Sequence, residues 1–128
     1  MFKIEEPIIN NLEIINIISL NNISKIDGVE LFNEDINLET GIDISNSKFN
    51  NIVFKKLDFK FNNIEDVIFE NCDLSNKKFD YKLIERVEFR NCKMTGVTFI
   101  SSSIKDILID NSMCKYINFT EAKINNIK

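Results

Sequence analysis

Residues 72–91 read CDLSNKKFDYKLIERVEFRN, and an apolar residue stands at every fifth position of this stretch. The same spacing continues outward in both directions without a polar interruption. At 44% hydrophobic residues, so long a run arises by chance with a probability of about 10⁻⁶, so the period is real. The seventeen positions of this core ladder are Ile44, Phe49, Phe54, Phe59, Ile64, Phe69, Leu74, Phe79, Ile84, Phe89, Met94, Phe99, Ile104, Ile109, Cys114, Phe119 and Ile124.

A period of five excludes both an α-helix and an unbroken strand. Five residues turn a helix by about 500°, so successive repeats would point about 140° apart and no face would be apolar. Five is also an odd number, so a straight strand would place alternate repeats on opposite faces of its sheet. The period therefore predicts a chain that turns a corner once in every repeat and winds into a coil.

A second inward position is predicted two residues before each ladder residue, as strand alternation requires. It holds mostly Val, Ile and Cys, with polar exceptions that include Lys77 and Lys82. We expect these two lysines to lean outward with their stems against the core, and the coil to be distorted near residues 77–82.

Residues twenty positions apart resemble one another, which sets the number of sides of the coil. One column is all isoleucine from Ile44 to Ile124, and an outward column is all asparagine. Stacked residues in successive turns should be alike, so four pentads make one turn. The asparagines are Asn51, Asn71, Asn91 and Asn111, which we interpret as structural: they form either a side-chain amide ladder or a support for turns through local backbone hydrogen bonds.

The segment CDLSN at residues 72–76 carries a more specific pattern: a small residue, Asp, a central Leu, then two free positions. This pattern resembles the pentapeptide-repeat family. The resemblance covers about two thirds of the chain and implies an all-β fold, the family's right-handed quadrilateral β-helix, with about 20 residues per coil and turns stacked about 4.8 Å apart. Val, Ile and Cys largely replace the family's usual Ala, which predicts a slightly wider or less regular coil.

The chain is predicted to have two parts. Residues 42–128 form the regular solenoid, and residues 1–41 form an irregular N-terminal cap or imperfect first coils. Ile26, Leu31 and Ile36 make a shorter apolar series in a shifted register. An irregular connection is expected at about 37–41, ending at Gly41.

Composition argues against catalysis. The chain has no histidine, the commonest general base and metal ligand, and no CxxC spacing or phosphate loop. We expect no catalytic residue, no metal and no cofactor. The three cysteines, Cys72, Cys92 and Cys114, are interpreted as core thiols of a cytoplasmic protein that does not enter the membrane.

Two candidate contact surfaces remain. Phe61 stacks one turn below Tyr81 at outward positions, which makes a candidate surface patch. Ile124 and Ile127 continue the apolar pattern to the last coil, and an open solenoid end favours end-to-end homodimerisation there.

The function that these features favour is a non-enzymatic repeat scaffold that binds another protein, with the partner unknown. The family resemblance implies an alternative, a DNA mimic that binds DNA gyrase or topoisomerase and protects it from quinolones. Charge fits that alternative only in part, because the total of -4 divides into -6 up to residue 42 (two lysines against eight acids) and +2 beyond. Direct nucleic-acid binding is disfavoured, because the lysines alternate with acids.

Overall fold

The computed structural model describes residues 4–9, 12–14, 25–32 and 35–128. Within these ranges every regular element is a strand, and no helix is long and apolar enough to cross a membrane. The strands are β1 (Glu13–Ile14), β2 (Lys25–Asp27), β3 (Val29–Phe32), β4 (Asp35–Asn50), β5 (Val53–Glu70), β6 (Leu83–Arg90), β7 (Ser103–Asp110) and β8 (Lys123–Ile127).

The strands stack in parallel, one coil upon the next. Ile64 of β5 pairs with Ile84 of β6, which pairs with Ile104 of β7 and then with Ile124 of β8. The chain therefore returns to the same lateral position after twenty residues. This architecture is the predicted right-handed quadrilateral β-helix, built only from strands and turns.

Each coil has four faces. In the coil formed by residues 82–101, the first face is 82–86, the second 87–91, the third 92–96 and the fourth 97–101. Each face ends at a corner residue with positive φ, and from residue 66 to residue 126 every fifth residue has this conformation. These corner residues are Asp66, Asn71, Asn76, Tyr81, Arg86, Asn91, Gly96, Ser101, Asp106, Asn111, Tyr116, Glu121 and Asn126.

The corners also carry hydrogen bonds between coils. The N–H of Asn71 donates to the carbonyl of Arg90 at 2.9 Å, and the N–H of Gly96 donates to that of Lys115 at 2.9 Å. The left-handed conformation changes the chain direction by one side of the coil while this donor still points along the stack. The corner thus turns the chain without leaving the N–H unpaired.

Aromatic rings fill the core in two stacked columns. Phe49, Phe69 and Phe89 stack on the second face with centroids 5.2–5.3 Å apart and planes within 11°. Phe79 and Phe99 stack on the fourth face at 5.2 Å. The columns meet edge to face across the core, as in the 5.8 Å contact of Phe79 with Phe89 at 86°. The ring spacing is close to the separation of stacked strands, so each added coil continues both columns.

Small polar side chains at the second inward position donate their hydrogen bonds to backbone carbonyls. Ser102 is buried and its hydroxyl donates to the carbonyl of Phe79, in the coil below. The distortion expected at 77–82 is not seen in the pairing with the next coil, where Lys78 pairs with Thr98 and Leu83 with Ser103. Lys77 is only half-buried and its ammonium donates to the carbonyl of Ser75, so its charge stays at the surface.

Twelve of the core-ladder residues are buried, while the side chain of Phe59 lies outside the described residues. Ile109 and Phe119 are half-buried. Two ladder positions need correction: Cys114 and Ile124 are exposed, not core. Both lie on the last described coil, where no further coil packs upon them, so an inward direction there does not produce burial.

The N-terminal strands follow a shorter repeat than the rest. Ile26 and Leu31 are buried and pair with Ile44 and Phe49 of β4, an offset of eighteen residues. Between β4 and β5 the register shifts three times from Ile36 to Ile44. Because β4 runs continuously through residues 41 and 42, the division of the chain at that point stays a prediction.

Loss of one core ring should destabilise the coil strongly. Phe99 is fully buried between Phe79 and Phe119, so Phe99→Ala should lower the free energy of unfolding by about 3–5 kcal/mol. Leu83→Ala removes an outward side chain that is 54% exposed, so it should change the free energy of unfolding by less than about 0.5 kcal/mol. Urea unfolding measures both, and equal costs would contradict the inward and outward assignment.

The corner conformation predicts opposite effects at two equivalent positions. Gly96 has φ +74°, and an added Cβ would lie 3.3 Å from Cγ of Asn76 and closer still to its Oδ1, so Gly96→Ala should destabilise by about 1–3 kcal/mol. Tyr116 occupies the same corner one coil later with φ 60° and is 82% exposed. Tyr116→Asn should stabilise by about 0.5–1 kcal/mol, because Asn tolerates this conformation better. If thermal melts showed that both variants raise the melting temperature, or that both lower it, the corner assignment would be refuted.

Candidate interaction surface

The predicted patch lies where the fourth face turns into the first. Tyr81 is the corner residue, with φ 58°, and its side chain is 69% exposed. Leu83 follows at the start of β6 and is 54% exposed. The side chain of Phe61, its predicted partner, lies outside the described residues. A large aromatic side chain at a left-handed corner is held outward by the backbone, so it presents a rigid contact point.

The asparagine column lies at the corner between the second and third faces. All four members have positive φ, between 47° and 57°. The amide of Asn111 donates to Oδ1 of Asn91 at 2.6 Å, and that of Asn71 donates to Oδ1 of Asn50 at 3.4 Å. Asn is well suited to the left-handed conformation, so the column is explained by the turn that it makes.

The cysteines play different roles in the structure. Cys72 and Cys92 are buried free thiols, and the Sγ atom of each lies 3.3–3.4 Å from carbonyl oxygens of its own and the preceding coil. The neighbouring Cys92 thiol and burial raise the pKa of Cys72, which keeps that thiol protonated. Cys114 is free and exposed. In the part of the chain that the structure describes, no group of Cys, Asp or Glu side chains is arranged to hold a metal ion.

Arg86 is the centre of the densest ionic cluster. Its guanidinium bonds Asp66 through two nitrogens at 2.7 and 3.1 Å and Glu85 at 2.6 Å. Partial burial raises the pKa of Asp66, but hydrogen bonds from Arg86 and from the N–H of Ile8 together with the Arg86 charge lower it below its ordinary value. The sequence carried a signal for this pair, because opposite charges stand twenty residues apart.

The same cluster holds the N-terminal segment, residues 4–9, against the side of the coil. The N–H of Ile8 donates to Oδ1 of Asp66 at 2.9 Å, and a Glu5 carboxylate oxygen lies 3.9 Å from Nη1 of Arg86. Asp66 and Arg86 occupy equivalent corners of adjacent coils, so the segment extends across the stack. No periodic signal marks residues 4–9, so sequence reasoning did not place them here.

Opposite charges lie one above the other at two places on the outer surface. Nζ of Lys105 lies 3.9 Å from Oε1 of Glu85 in the coil below. On the second face, Arg90 stands between Glu70 and Asp110, with Nη1 3.6 Å from Oδ2 of Asp110. These opposite charges in neighbouring coils interrupt a stripe of one sign at the positions of Lys105 and Arg90.

The last described coil exposes apolar side chains at its open end. Ile124 and Ile127 of β8 are 43% and 37% exposed, and Met113 is 61% exposed. Phe119 and Ile117 are half-buried against the core. The candidate dimer end is therefore an accessible apolar surface.

Comparison with known proteins agrees with this architecture. The family model described as pentapeptide repeat region matches residues 62–128, and the model described as pentapeptide repeats matches residues 40–76. No curated protein matches the sequence. The solved structure of QnrB1, a plasmid-mediated fluoroquinolone resistance protein, is similar over 77% of this chain at 23% identity and a TM-score of 0.44.

The chain spans 52% of the QnrB1 chain, about half of its length. The pentapeptide repeat protein Rfr23 from the cyanobacterium Cyanothece 51142 is similar over 82% of this chain and 70% of its own, at 11% identity and a TM-score of 0.36. One family model alone covers more than half of the chain, in the region where the coils are regular. The chain therefore belongs to the pentapeptide-repeat family.

Proposed function

We propose that this pentapeptide-repeat coil is a non-enzymatic scaffold that binds another protein through its outer surface. The observation that carries the proposal is that inward side chains form the core, while outward positions hold exposed apolar side chains. Inward side chains are used to build the core, while Tyr81 and Leu83 hold large apolar groups in solvent on a rigid backbone. Exposed apolar groups on a rigid surface are suited to protein contact, with little ordering cost on binding.

The buried polar side chains are used within the fold. Within the described ranges, no buried side-chain nitrogen or oxygen is without a hydrogen-bond partner. The buried thiols of Cys72 and Cys92 are free, which agrees with a reducing compartment, and we place the protein in the cytoplasm.

The alternative of a DNA mimic that binds gyrase requires a continuous negative surface along the coil axis. Lys105 above Glu85, and Arg90 above Glu70, interrupt the negative charge along the coil axis on the first and second faces. We therefore favour an unknown protein partner over gyrase.

The scaffold proposal predicts that partner binding depends on the Tyr81 and Leu83 patch. A Tyr81→Asn plus Leu83→Lys variant keeps the corner conformation but removes the apolar contact surface. A partner protein that the wild type enriches at least tenfold in affinity capture should therefore no longer be captured by this variant. Tyr116→Asn is the matched control, since it removes another exposed aromatic corner residue from a different face. The measurement is quantitative affinity capture followed by titration calorimetry with the purified partner. Capture of the same proteins at the same levels by all three forms would refute the patch.

We also propose an end-to-end homodimer through the C-terminal coil, supported by the exposed Ile124 and Ile127. Ile124→Lys plus Ile127→Lys should convert a dimer to a monomer, because two charges would be buried at the contact. Multi-angle light scattering measures the mass, and Lys78→Ala, at an exposed position on the side of the coil, serves as the control. A wild type that is monomeric, or a lysine variant that stays dimeric, would contradict this interface.

A further inference from the structure

The third face of the coil is basic. Lys55, Lys93 and Lys115 point outward and are exposed, against the single carboxylate of Asp73, so these residues carry a net charge of +2. Asp73 is directed toward its own turn, where it accepts hydrogen bonds from the N–H and hydroxyl of Ser75 at 3.0 and 2.7 Å. We name the surface formed by Lys55, Lys93 and Lys115 the basic face.

Exposed apolar side chains lie on the same face. Val53 and Met113 stand in the outward column that contains Lys93 and are 41% and 61% exposed. Tyr116, at the corner of this face, is 82% exposed. A shallow groove beside this column is lined by Asn51, Val53, Asn71, Cys72, Asp73, Asn91 and Lys93. Lysines among apolar groups fit a partner surface with the reverse charge and apolar groups of its own.

Such a surface exists on the opposite side of the same molecule. The first face and the N-terminal segment at its edge carry six negative and four positive charges among their described side chains, which gives a net charge of -2: Glu5, Glu6, Glu65, Asp66, Glu85 and Asp106 against Lys82, Arg86, Lys105 and Lys123. The side chains of Glu5 and Glu65 are 64% and 50% exposed. Ile8, in the middle of this group, is 57% exposed. We name this surface the acidic face.

The first and third faces of a four-sided coil point in opposite directions, so the two surfaces cannot meet within one molecule. We propose that they meet between molecules: the basic face of one copy binds the acidic face of a second copy, side by side. The contact is heterologous, so it leaves one basic and one acidic face free and can continue into a row of coils. It differs from the proposed end-to-end dimer in using the sides of the solenoid instead of its end.

The strength of this association must depend on salt. The Debye length falls from about 10 Å at 0.1 M salt to about 3 Å at 1 M salt, so the attraction between the faces is screened at the higher concentration. An apolar end-to-end contact would respond little or would strengthen. Salt dependence thus separates the two modes of assembly.

The test is sedimentation velocity in the Ile124→Lys plus Ile127→Lys background, which removes the end-to-end contact. Mass-average size should rise with protein concentration at about 0.1 M salt and return to that of the monomer at about 1 M salt. Reversal of the basic face by Lys93→Glu plus Lys115→Glu should abolish the rise. Reversal of the acidic face by Glu6→Lys plus Glu65→Lys should do the same, while Asp66, Glu85 and Glu5 remain around Arg86.

Mixing gives the decisive result. Equal amounts of the two reversed variants should associate again, because the acidified third face of one now meets the basic first face of the other. Lys78→Glu plus Lys128→Glu reverses two exposed lysines on the fourth and second faces and should leave association unchanged. Circular dichroism melts establish that every variant is folded. A background protein that stays monomeric at low salt, or reversed variants that fail to associate on mixing, would overturn the proposal.

Discussion

The left-handed corner at every fifth residue is the constraint on which the rest of the structure depends. It turns the chain by one side of the coil and points its N–H toward the next coil, as Asn71 does toward Arg90. Without it, five residues of strand would carry successive ladder residues to opposite sides. Eight of the thirteen corner residues from 66 to 126 are Asn, Asp or Gly, which adopt this conformation at least cost. The other five, such as Tyr81 and Arg86, are held in it by the stacking of the coils, so their conformational cost is offset by the core that the corner creates.

The core follows from that geometry. Because every coil returns to the same place after twenty residues, a phenylalanine in one coil lies directly over a phenylalanine in the coil below, and the rings stack at 5.1–5.3 Å. Serine is tolerated at the small inward position because a backbone carbonyl accepts its hydrogen, as Phe79 accepts from Ser102 and Ser45 accepts from Ser47. Both rules weaken on the last described coil, where Cys114 is exposed because no further described coil packs upon it. Burial is thus a property of two coils together and not of one residue in its repeat.

This explains how much could be predicted from the sequence. The period of five and the column spacing of twenty predict the coil, because they are strong wherever the corners are regular. They could not predict the N-terminal part, where β2 pairs with β4 at an offset of eighteen and the register shifts near Gly41. The N-terminal segment at Asp66 and Arg86 was missed for a different reason: its contacts are single hydrogen bonds and ion pairs, which leave no periodic pattern. Of the corner positions, only the asparagine column was connected with turns, although Asn, Asp and Gly are frequent at the other corners too.

Outward positions are constrained differently from core positions, so the repeat pattern of the sequence predicts the core better than it predicts the binding surface. An inward position must satisfy the coil above and the coil below, so its residue type is repeated. An outward position is restricted only by its neighbours in the same column, and opposite charges such as Glu85 and Lys105 satisfy that restriction as well as identical residues do. Each face can therefore acquire its own charge: the third face is basic, while the first face together with the N-terminal segment is acidic. Differences among the four faces, rather than the repeat that they share, are where the binding properties of this coil must lie.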